Sequence, residues 1–392
     1  MAAPLMLVAA LYLLITSLHI LLPAFHVTGY VCDFATGRPK HYRLNGLLIV
    51  ISVAALSYAL PTGCLSFAAR NFWDCVFWAN ALGLLSAGIL LKCCAFEPPF
   101  RCLTVDQITL RGRAAEGEDI CHNGALAPAP ARTTLAHFFF GISFNPSCFG
   151  GVDLKMLLYA LGAAALEWNL FSAIALRVEL HKELSNALVL YAVMLMWFIT
   201  EYMTLEVIHL YTYDLFCEKL GFKLAWGCLV FYPYFYCIGV WPLIDGPRTA
   251  AEDLSSTATV LVGAVFALGW SLTRGANVQK YLYKTRGDAA TFPVKPRVVP
   301  GTRLLCNGFW GLSRHVNYAG EIIQAVALAL PGSLVATTTY HALLPWLYPL
   351  YYVALFVPRQ IDDDLQMKIK YGEKAFNEYV ARVPYRIVPY LW

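Results

Sequence analysis

Charged residues are scarce in this chain. Lys, Arg, Asp and Glu make up 14% of its 392 residues, whereas hydrophobic residues make up 59%. Because soluble domains carry about 25% charged residues, this composition excludes an ordinary soluble protein. No Lys or Arg precedes the first apolar run, residues 5–22, which argues against a removed signal peptide. We therefore expect an integral membrane protein whose first apolar run is a retained membrane span.

Motifs for metal and nucleotide sites of the soluble type are missing as well. The 12 cysteines include no C-x-x-C pair and the 9 histidines no H-E-x-x-H, so neither a zinc site nor a disulfide framework is indicated. No G-x-G-x-x-G follows a predicted strand, which argues against a Rossmann-type nucleotide site. We expect no bound metal, cysteines that act as small hydrophobic side chains, and a cofactor held in another way.

Long apolar runs recur along the chain. A helix needs about 20 mainly apolar residues to cross about 30 Å of hydrocarbon. The runs predict an all-α, polytopic integral membrane fold with about 8–10 transmembrane helices in a single domain, residues 1–392. The nine predicted spans are 5–24, 45–68, 73–95, 156–176, 186–206, 223–244, 254–273, 320–340 and 342–358. Residues 111–133, rich in Gly, Pro, Ala and mixed charges, are a predicted loop.

Positive charge is concentrated after the seventh predicted span. The segment 274–303 has Asp288 as its single acidic residue, against Arg274, Lys280, Lys284, Arg286, Lys295, Arg297 and Arg303. The positive-inside rule places such a loop in the cytoplasm, and the same cations suit an anionic ligand. No recognition motif of alternating aromatic and basic residues accompanies them, so nucleic acid is not an expected partner.

Carboxyl groups stand inside or at the ends of predicted spans, where a charge is costly. Glu167 lies within the fourth span and is interpreted as a polar tie between helices. Glu201 and Glu206 close the fifth span and mark either the membrane edge or a pocket. Tyr232 and Tyr236 belong to an aromatic cluster in the sixth span, which suits helix packing or a flat apolar ligand.

Two polar faces are predicted near the C-terminus. If helical, Arg314, Tyr318 and Glu321 share one face just before the eighth span. A second such face contains Arg359, Asp363, Gln366 and Lys370. Arg forks and Lys charges match phosphate oxygens, so two such faces beside a basic loop predict a site for a phosphate-bearing cofactor. Either face alone would suit a solvated membrane surface.

Several motifs together resemble those of the membrane sterol reductases. The specific ones are LLCNGFWGLSRHVNYAGEI, PRQIDDDLQMKIKYG and VPYRIVPYLW, all in the C-terminal part. Similarity extends over most of the chain through HYRLNGLL, FFFGISFNPSCFGGVDLKM and ANVQKYLYK. The family includes the sterol Δ14-reductases, 7-dehydrocholesterol reductase, sterol C24(28) reductase and the lamin B receptor.

The resemblance implies an enzyme of sterol biosynthesis that reduces a sterol carbon–carbon double bond with NADPH. It implies the endoplasmic reticulum membrane as location, a cofactor site that faces the cytoplasm, and a sterol and membrane lipid as partners. The oligomeric state is not implied. The cofactor-binding part is residues 274–392. Positions that match the family's cofactor site are Lys280, Lys284, Leu305, Trp310, Arg314, Asn317, Tyr318, Arg359, Asp363 and Tyr379.

Reduction of an isolated alkene also requires an acid, because protonation of one carbon prepares the other for hydride. An apolar surrounding keeps a carboxyl or a phenol protonated near neutral pH. The carboxyl candidates are Glu206 and Asp363, followed by Glu201, and the phenol candidates are Tyr232 and Tyr236.

Four positions depart from the family's pattern. His137 stands where relatives usually have Asp, Ser147 where they have Arg, Cys228 where Asp is common, and Phe198 where some relatives have Tyr. These departures leave open which double bond is reduced. The segments VDLKM, CEKLGF and ATFPVKP resemble the C24(28) reductases, whereas GFWGLSRHVNY and RVPYRI equally resemble the Δ14 branch. We slightly favour C24(28) over Δ14 or Δ7.

Two other functions stay open. Membrane isoprenylcysteine carboxyl methyltransferases, which bind S-adenosylmethionine, also carry an Arg-His-Pro segment and a late Tyr-rich tail, although Val316 replaces the Pro here. A catalytically inactive sterol-binding membrane protein is compatible with the four departures. Binding of NADPH and turnover of a sterol would separate the three functions.

Overall fold

A computed structural model of the chain describes residues 2–32, 38–94, 134–216 and 218–392. The described residues up to 253 form one compact unit, and residues 254–392 form another. Helices dominate both units, which confirms the all-α prediction. The predicted loop at 111–133 lies outside the described residues, and the single-domain prediction stays a prediction.

The first unit is built from apolar helices and two small hairpins. Its helices are α1 (Ala2–Leu21), α2 (Gly46–Ala59), α3 (Thr62–Leu65), α4 (Phe67–Arg70), α5 (Phe72–Cys93), α6 (Thr134–Phe140), α7 (Leu154–His181), α8 (Asn186–Thr204), α9 (Glu206–His209), α10 (Tyr213–Phe216), α11 (Phe222–Trp226) and α12 (Trp241–Asp245). A π-helix, Gly227–Phe235, and a 3-10 turn, Ile238–Val240, lie between α11 and α12. The antiparallel hairpins pair β1 (Phe25–Cys32) with β2 (Pro39–Leu44) and β3 (Ser147–Cys148) with β4 (Val152–Asp153).

Helix α7 is buried on all sides in the first unit. It begins at Leu154 because Asp153 caps it, with Oδ1 accepting hydrogen bonds from the backbone N–H groups of Lys155 (3.0 Å) and Met156 (3.1 Å). Lys40 on β2 lies 2.6 Å from the other carboxylate oxygen of Asp153. The cap and the ion pair therefore join the first hairpin to the start of α7.

The second unit is built around two long helices and a helical tail. Its elements are α13 (Ser256–Arg286), α14 (Val316–Leu334), α15 (Thr339–Leu343), α16 (Leu347–Tyr371) and α17 (Glu373–Arg382), with 3-10 turns at Gly287–Ala289, Gly308–Gly311 and Leu344–Trp346. Ser255 caps α13 and Thr338 caps α15, each through its hydroxyl oxygen.

Two glycines let α13 and α14 touch backbone to backbone. A Cβ atom on Gly320 would lie 2.6 Å from the carbonyl oxygen of Gly269 and 2.6 Å from the amide nitrogen of Thr273. A Cβ atom on Gly269 would lie 2.8 Å from the carbonyl oxygen of Gly320. Contact through small residues is the usual means of close helix packing in membranes.

Six helical segments among the described residues are long and apolar enough to span a membrane. They are Ala2–Leu21, Phe72–Cys93, Leu154–His181, Asn186–Thr204, Phe222–Asp245 and Ser256–Ala289. The other three predicted spans, 45–68, 320–340 and 342–358, overlap α2, α14 and α16. Helix α2 has only 14 residues, and α14 and α16 are less apolar than the six spanning segments. Helix α13 continues past residue 273, the predicted end of the seventh span, to Arg286.

Substitution Gly320→Ala is expected to destabilise the protein by about 1–3 kcal/mol, because the new methyl group overpacks a backbone contact. Thermal unfolding in detergent micelles measures this. Gly88→Ala on α5 is the control, since a Cβ atom there meets nothing within 4 Å. An unchanged unfolding temperature for Gly320→Ala would contradict the glycine contact.

Candidate active site

Arg314 lies outside α14, which begins two residues later at Val316. The predicted helical face shared by Arg314, Tyr318 and Glu321 is therefore wrong for Arg314. His315, the residue that precedes α14, has the non-helical torsion angles φ −133° and ψ 46°. Contacts with the C-terminal tail and with α16 hold this segment away from the helical conformation.

Arg314 is buried and makes a two-pronged ion pair with Asp364 on α16. Its Nε donates to Oδ1 at 3.2 Å and its Nη2 to Oδ2 at 2.9 Å. Its Nη1 donates to the carbonyl oxygens of Val383 (2.9 Å) and Pro384 (2.8 Å). Four of the five guanidinium N–H donors are therefore used within the protein. This geometry makes Arg314 a positioning residue.

The C-terminal tail is bound to the same segment through the backbone. The amide of Arg314 donates to the carbonyl oxygen of Tyr385 (2.9 Å), and that of His315 to the carbonyl oxygen of Arg386 (2.8 Å). The hydroxyl of Ser313 donates to the carbonyl oxygen of Ile387 (2.8 Å). Side-chain and backbone bonds thus fix the tail, the segment before α14 and α16 relative to one another.

Asp363, the residue before Asp364, accepts a hydrogen bond from a tyrosine. The phenol of Tyr318 donates a hydrogen bond of 2.6 Å to Asp363 Oδ2, and His315 Nδ1 lies 3.7 Å from the same oxygen. The Tyr318 ring stacks with the ring of His315 (5.4 Å) and with that of Phe356 (4.5 Å). The Tyr318 hydroxyl is therefore held at a defined place beside a half-buried carboxyl.

The environments of the two neighbouring carboxyls move their pKa values in opposite directions. Burial raises the pKa of Asp363, and the attraction of His315, the Tyr318 hydrogen bond and the charges of Arg359 and Lys280 only partly oppose it. Burial also acts to raise the pKa of Asp364, but its bonds to His315 and Arg314 outweigh burial and hold that pKa below its usual range.

Lys280 lies beside a flat aromatic wall. Its ammonium nitrogen is 5.4 Å from the ring centre of Trp310, and the indole N–H donates to the carbonyl oxygen of Ala276 (2.8 Å). Asn277 and Asn317 are on the packed helices α13 and α14, where Thr273 donates to the carbonyl oxygen of Asn317 (3.1 Å). The side-chain oxygens of both asparagines are buried and accept no hydrogen bond from the described residues.

The remaining predicted cofactor residues have different surroundings. Lys284 is half-buried, and its carbonyl oxygen accepts a bond from Arg303 (3.1 Å). Leu305 is buried and pairs with Val298 as an isolated bridge. Tyr379 lies in an apolar cluster with Val299, Leu304 and Val383, where burial raises its pKa.

In the first unit, Glu206 caps a helix. Its Oε2 accepts a hydrogen bond of 2.8 Å from the amide of Gly46, the first residue of α2. Glu206 is buried, with 5% of the residue exposed. Glu201 is half-buried near the end of α8. Glu167 is fully buried, and neither of its carboxyl oxygens has a hydrogen-bond partner among the described residues. Its interpretation as a polar tie between helices stays a prediction.

The aromatic side chains of the sixth predicted span pack together, and they also contact aromatic side chains of α8. Tyr232 lies 4.8 Å from Tyr236 and 6.4 Å from both Phe198 and Tyr202, all between ring centres. Tyr202 stacks on His209 at 3.6 Å. Tyr202 and His209 were not predicted members of this cluster, because a Tyr within an apolar span and a His just after it carry no signal in the sequence.

Three departures from the family's pattern also have defined places. His137 lies on α6, Ser147 on β3, and Cys228 is buried in the π-helix. Eight cysteines of the described residues from Cys64 onward are free thiols, three of them buried. The expectation of cysteines as buried hydrophobic side chains is thus correct for Cys75, Cys228 and Cys237, whereas Cys64 and Cys93 are exposed.

Fold and site together define a polytopic membrane protein with an Asp–Tyr–His cluster flanked by cations. The sequence profile of the Ergosterol biosynthesis ERG4/ERG24 family matches residues 3–392. The chain belongs to this family.

Curated relatives of the chain are named sterol reductases. A Delta(14)-sterol reductase of Arabidopsis thaliana is 30% identical over 358 residues, which are 91% of this chain and 88% of that protein. Delta(14)-sterol reductase TM7SF2 of Mus musculus is 32% identical over 68% of this chain and 62% of its own length. The 7-dehydrocholesterol reductase of Xenopus laevis is 30% identical over 65% of this chain and 54% of its own length. The match thus spans less than two thirds of the latter two relatives.

Three consecutive aspartates offer a matched test of the ion pair. Asp364→Asn is expected to destabilise the protein by about 3–5 kcal/mol, because it leaves Arg314 buried without its counter-charge. Asp362→Asn is the control, since it removes the charge of a neighbouring aspartate that accepts a hydrogen bond of 3.2 Å from Gln366 on the same helix. Equal unfolding temperatures of the two variants in detergent would contradict the role of Asp364.

The two pKa shifts predict opposite pH dependences. An unfolded Asp titrates near pH 3.9. Because the pKa of folded Asp364 is lower, its stabilisation is complete above about pH 3.9 and is lost as pH falls through the folded value. Because the pKa of folded Asp363 is higher, its contribution is complete below about pH 3.9 and is lost as pH rises through the folded value.

Unfolding temperatures between pH 3 and pH 6 test these signs. Relative to wild type, Asp364→Asn should flatten the loss of stability toward acid, and Asp363→Asn should steepen it. The same slope for both variants would show that the assignment of the two shifts is incorrect.

Proposed function

We propose that this protein reduces a carbon–carbon double bond of a sterol with NADPH, as a step of sterol biosynthesis. The observation that carries the proposal is the cluster around Asp363, in which a phenol, an imidazole and two cations surround one half-buried carboxyl. Relatives that bear the name sterol reductase support the reaction class. The reaction class also fits a membrane-embedded chain, because sterols are carried in the bilayer.

The residues of the second unit suit the cofactor. Lys280 and Arg359 supply positive charge near Asp363, which suits phosphate oxygens. Trp310 presents a flat ring that a planar base or ring could contact. The buried side-chain oxygens of Asn277 and Asn317 are ready acceptors for the N–H and O–H donors that an amide and a ribose carry. NADPH, when bound, would supply the hydride.

The structure favours Asp363 with Tyr318 as the acid. The 2.6 Å hydrogen bond places a proton on the Tyr318 oxygen with a carboxyl behind it whose own pKa is raised. Stacking with His315 and Phe356 keeps the phenol from turning away. Glu206 accepts the first N–H group of α2, which makes it the weaker candidate for the acid.

The curated relatives reported above act, by their names, on the Δ14 bond and on 7-dehydrocholesterol. They support a ring double bond as substrate at least as well as the side-chain bond, and the preference for C24(28) stays a prediction. We further propose the endoplasmic reticulum membrane as the location, with the cofactor site facing the cytoplasm and a sterol and membrane lipid as partners.

The decisive experiment offers Δ14, Δ7 and Δ24(28) sterols in turn to the purified protein with NADPH, and identifies products by gas chromatography with mass spectrometry. One reduced sterol is the expected result. S-adenosylmethionine binding in place of NADPH binding would indicate a methyltransferase, and sterol binding without turnover an inactive protein.

Lys280→Gln is expected to weaken NADPH binding tenfold to a hundredfold, because a charge-assisted bond contributes about 1.5–3 kcal/mol. Lys374→Gln on α17, which removes an exposed Lys, is the control. Asp363→Asn should lower kcat far more than Asp362→Asn. Retained turnover in Asp363→Asn together with lost turnover in Glu206→Gln would move the acid to Glu206.

A further inference from the structure

A cleft of about 500 Å³ opens in the second unit, between the segment after α13 and the turn before Trp310. Its lining residues are Val294, Lys295, Pro296, Arg297, Asn307 and Gly308. Two of the six are cationic and none is acidic. The volume exceeds that of an inorganic ion, so the cleft can hold an anion together with part of the molecule that carries it.

The two cationic side chains of the cleft are available to a ligand. Lys295 and Arg297 are exposed, and within the described part of the chain neither side chain has an ion-pair or hydrogen-bond partner. They differ in this respect from Arg303 and Arg382, whose guanidinium groups donate to the carbonyl oxygens of Lys284 (3.1 Å) and Val298 (3.3 Å). Two neighbouring cations that the fold does not neutralise suit a ligand with two negative charges.

The backbone that carries Lys295 and Arg297 is nevertheless fixed. The Asn307 side chain donates to the carbonyl oxygen of Lys295 (2.8 Å) and accepts from the amide of Arg297 (2.9 Å). The amide of Cys306 donates to the carbonyl oxygen of Arg297 (2.8 Å). Hydrogen bonds thus fix the backbone that carries the two charges, which lowers the conformational cost of binding a ligand.

The cleft is joined to the proposed cofactor site through Gln279. Its side-chain amide donates to the carbonyl oxygen of Asn307 (2.9 Å) and accepts from the amide of Phe309 (2.9 Å). Gly308, with φ +63°, has no Cβ to collide with this amide. One wall of the cleft therefore ends two residues before Trp310, whose ring faces Lys280.

We propose that the cleft at Lys295 and Arg297 binds a phosphomonoester dianion. The proposal rests on the proposed function where the phosphate is the 2′-phosphate that distinguishes NADPH from NADH. The other source of the same chemistry is the headgroup of an anionic lipid such as phosphatidic acid. The Arg fork and the Lys point charge provide complementary contacts for such a group.

The test compares the double variant Lys295→Gln/Arg297→Gln with a control that removes equal charge, Arg286→Gln/Lys374→Gln. Binding of NADPH, NADH, adenosine 2′,5′-bisphosphate and dihexanoyl phosphatidic acid to the full chain in detergent is measured by calorimetry. We expect the cleft variant to bind NADPH and the bisphosphate at least tenfold more weakly, with NADH binding unchanged and the control like wild type.

Each outcome either supports or contradicts a phosphate site in the cleft. Loss of phosphatidic acid binding with NADPH binding intact supports the cleft as a phosphate site but assigns it to a lipid headgroup. Equal binding of all four probes by the cleft variant and the control overturns the proposal. If wild type binds neither NADPH nor NADH, the proposed function fails, and phosphatidic acid binding still decides the cleft.

Discussion

The second unit depends on one buried charge pair. Arg314 and Asp364 meet inside a protein whose composition is mostly apolar, where a guanidinium without a partner would be strongly destabilising. Two further donors of Arg314 bind carbonyl oxygens of the tail. A single guanidinium thus joins α16, the segment before α14 and the C-terminus. The Asp363, Tyr318 and His315 cluster takes its geometry from this junction.

The same constraint governs the first unit. Arg177, buried in α7, donates to the carbonyl oxygens of Ile244 (3.3 Å) and Pro247 (2.7 Å), which gives the chain after α12 its place. Glu206 accepts the N–H group at the start of α2. In an apolar interior, charged groups bind the backbone groups that helix ends leave without partners. A charged residue near a span is therefore weak evidence of catalysis until its contacts are known.

Much of the candidate site was predictable from the sequence, and the limits have physical causes. The motif around Trp310 to Tyr318 and the later DDD run indicated the region in which the fold brings polar side chains together. Which aspartate bonds to Arg314 and which to Tyr318 depends on the rotation of α16 against α14, which residue order does not specify. Arg314 was assigned to a helix because its spacing to Tyr318 is helical, yet long-range bonds to residues 383–386 override that local preference.

The sequence by itself determined the class of fold and the region in which positive charge is concentrated. Apolar runs must be helical in a bilayer, because backbone groups there can bond only within their own segment. The concentration of Lys and Arg in 274–303 likewise follows from composition. Only the tertiary structure decided which of these charges are neutralised by the fold, such as Arg314, and which are left for a ligand, such as Lys295 and Arg297. Neutralisation requires atoms within about 3 Å, and residues 50 to 70 positions apart reach that distance only through folding.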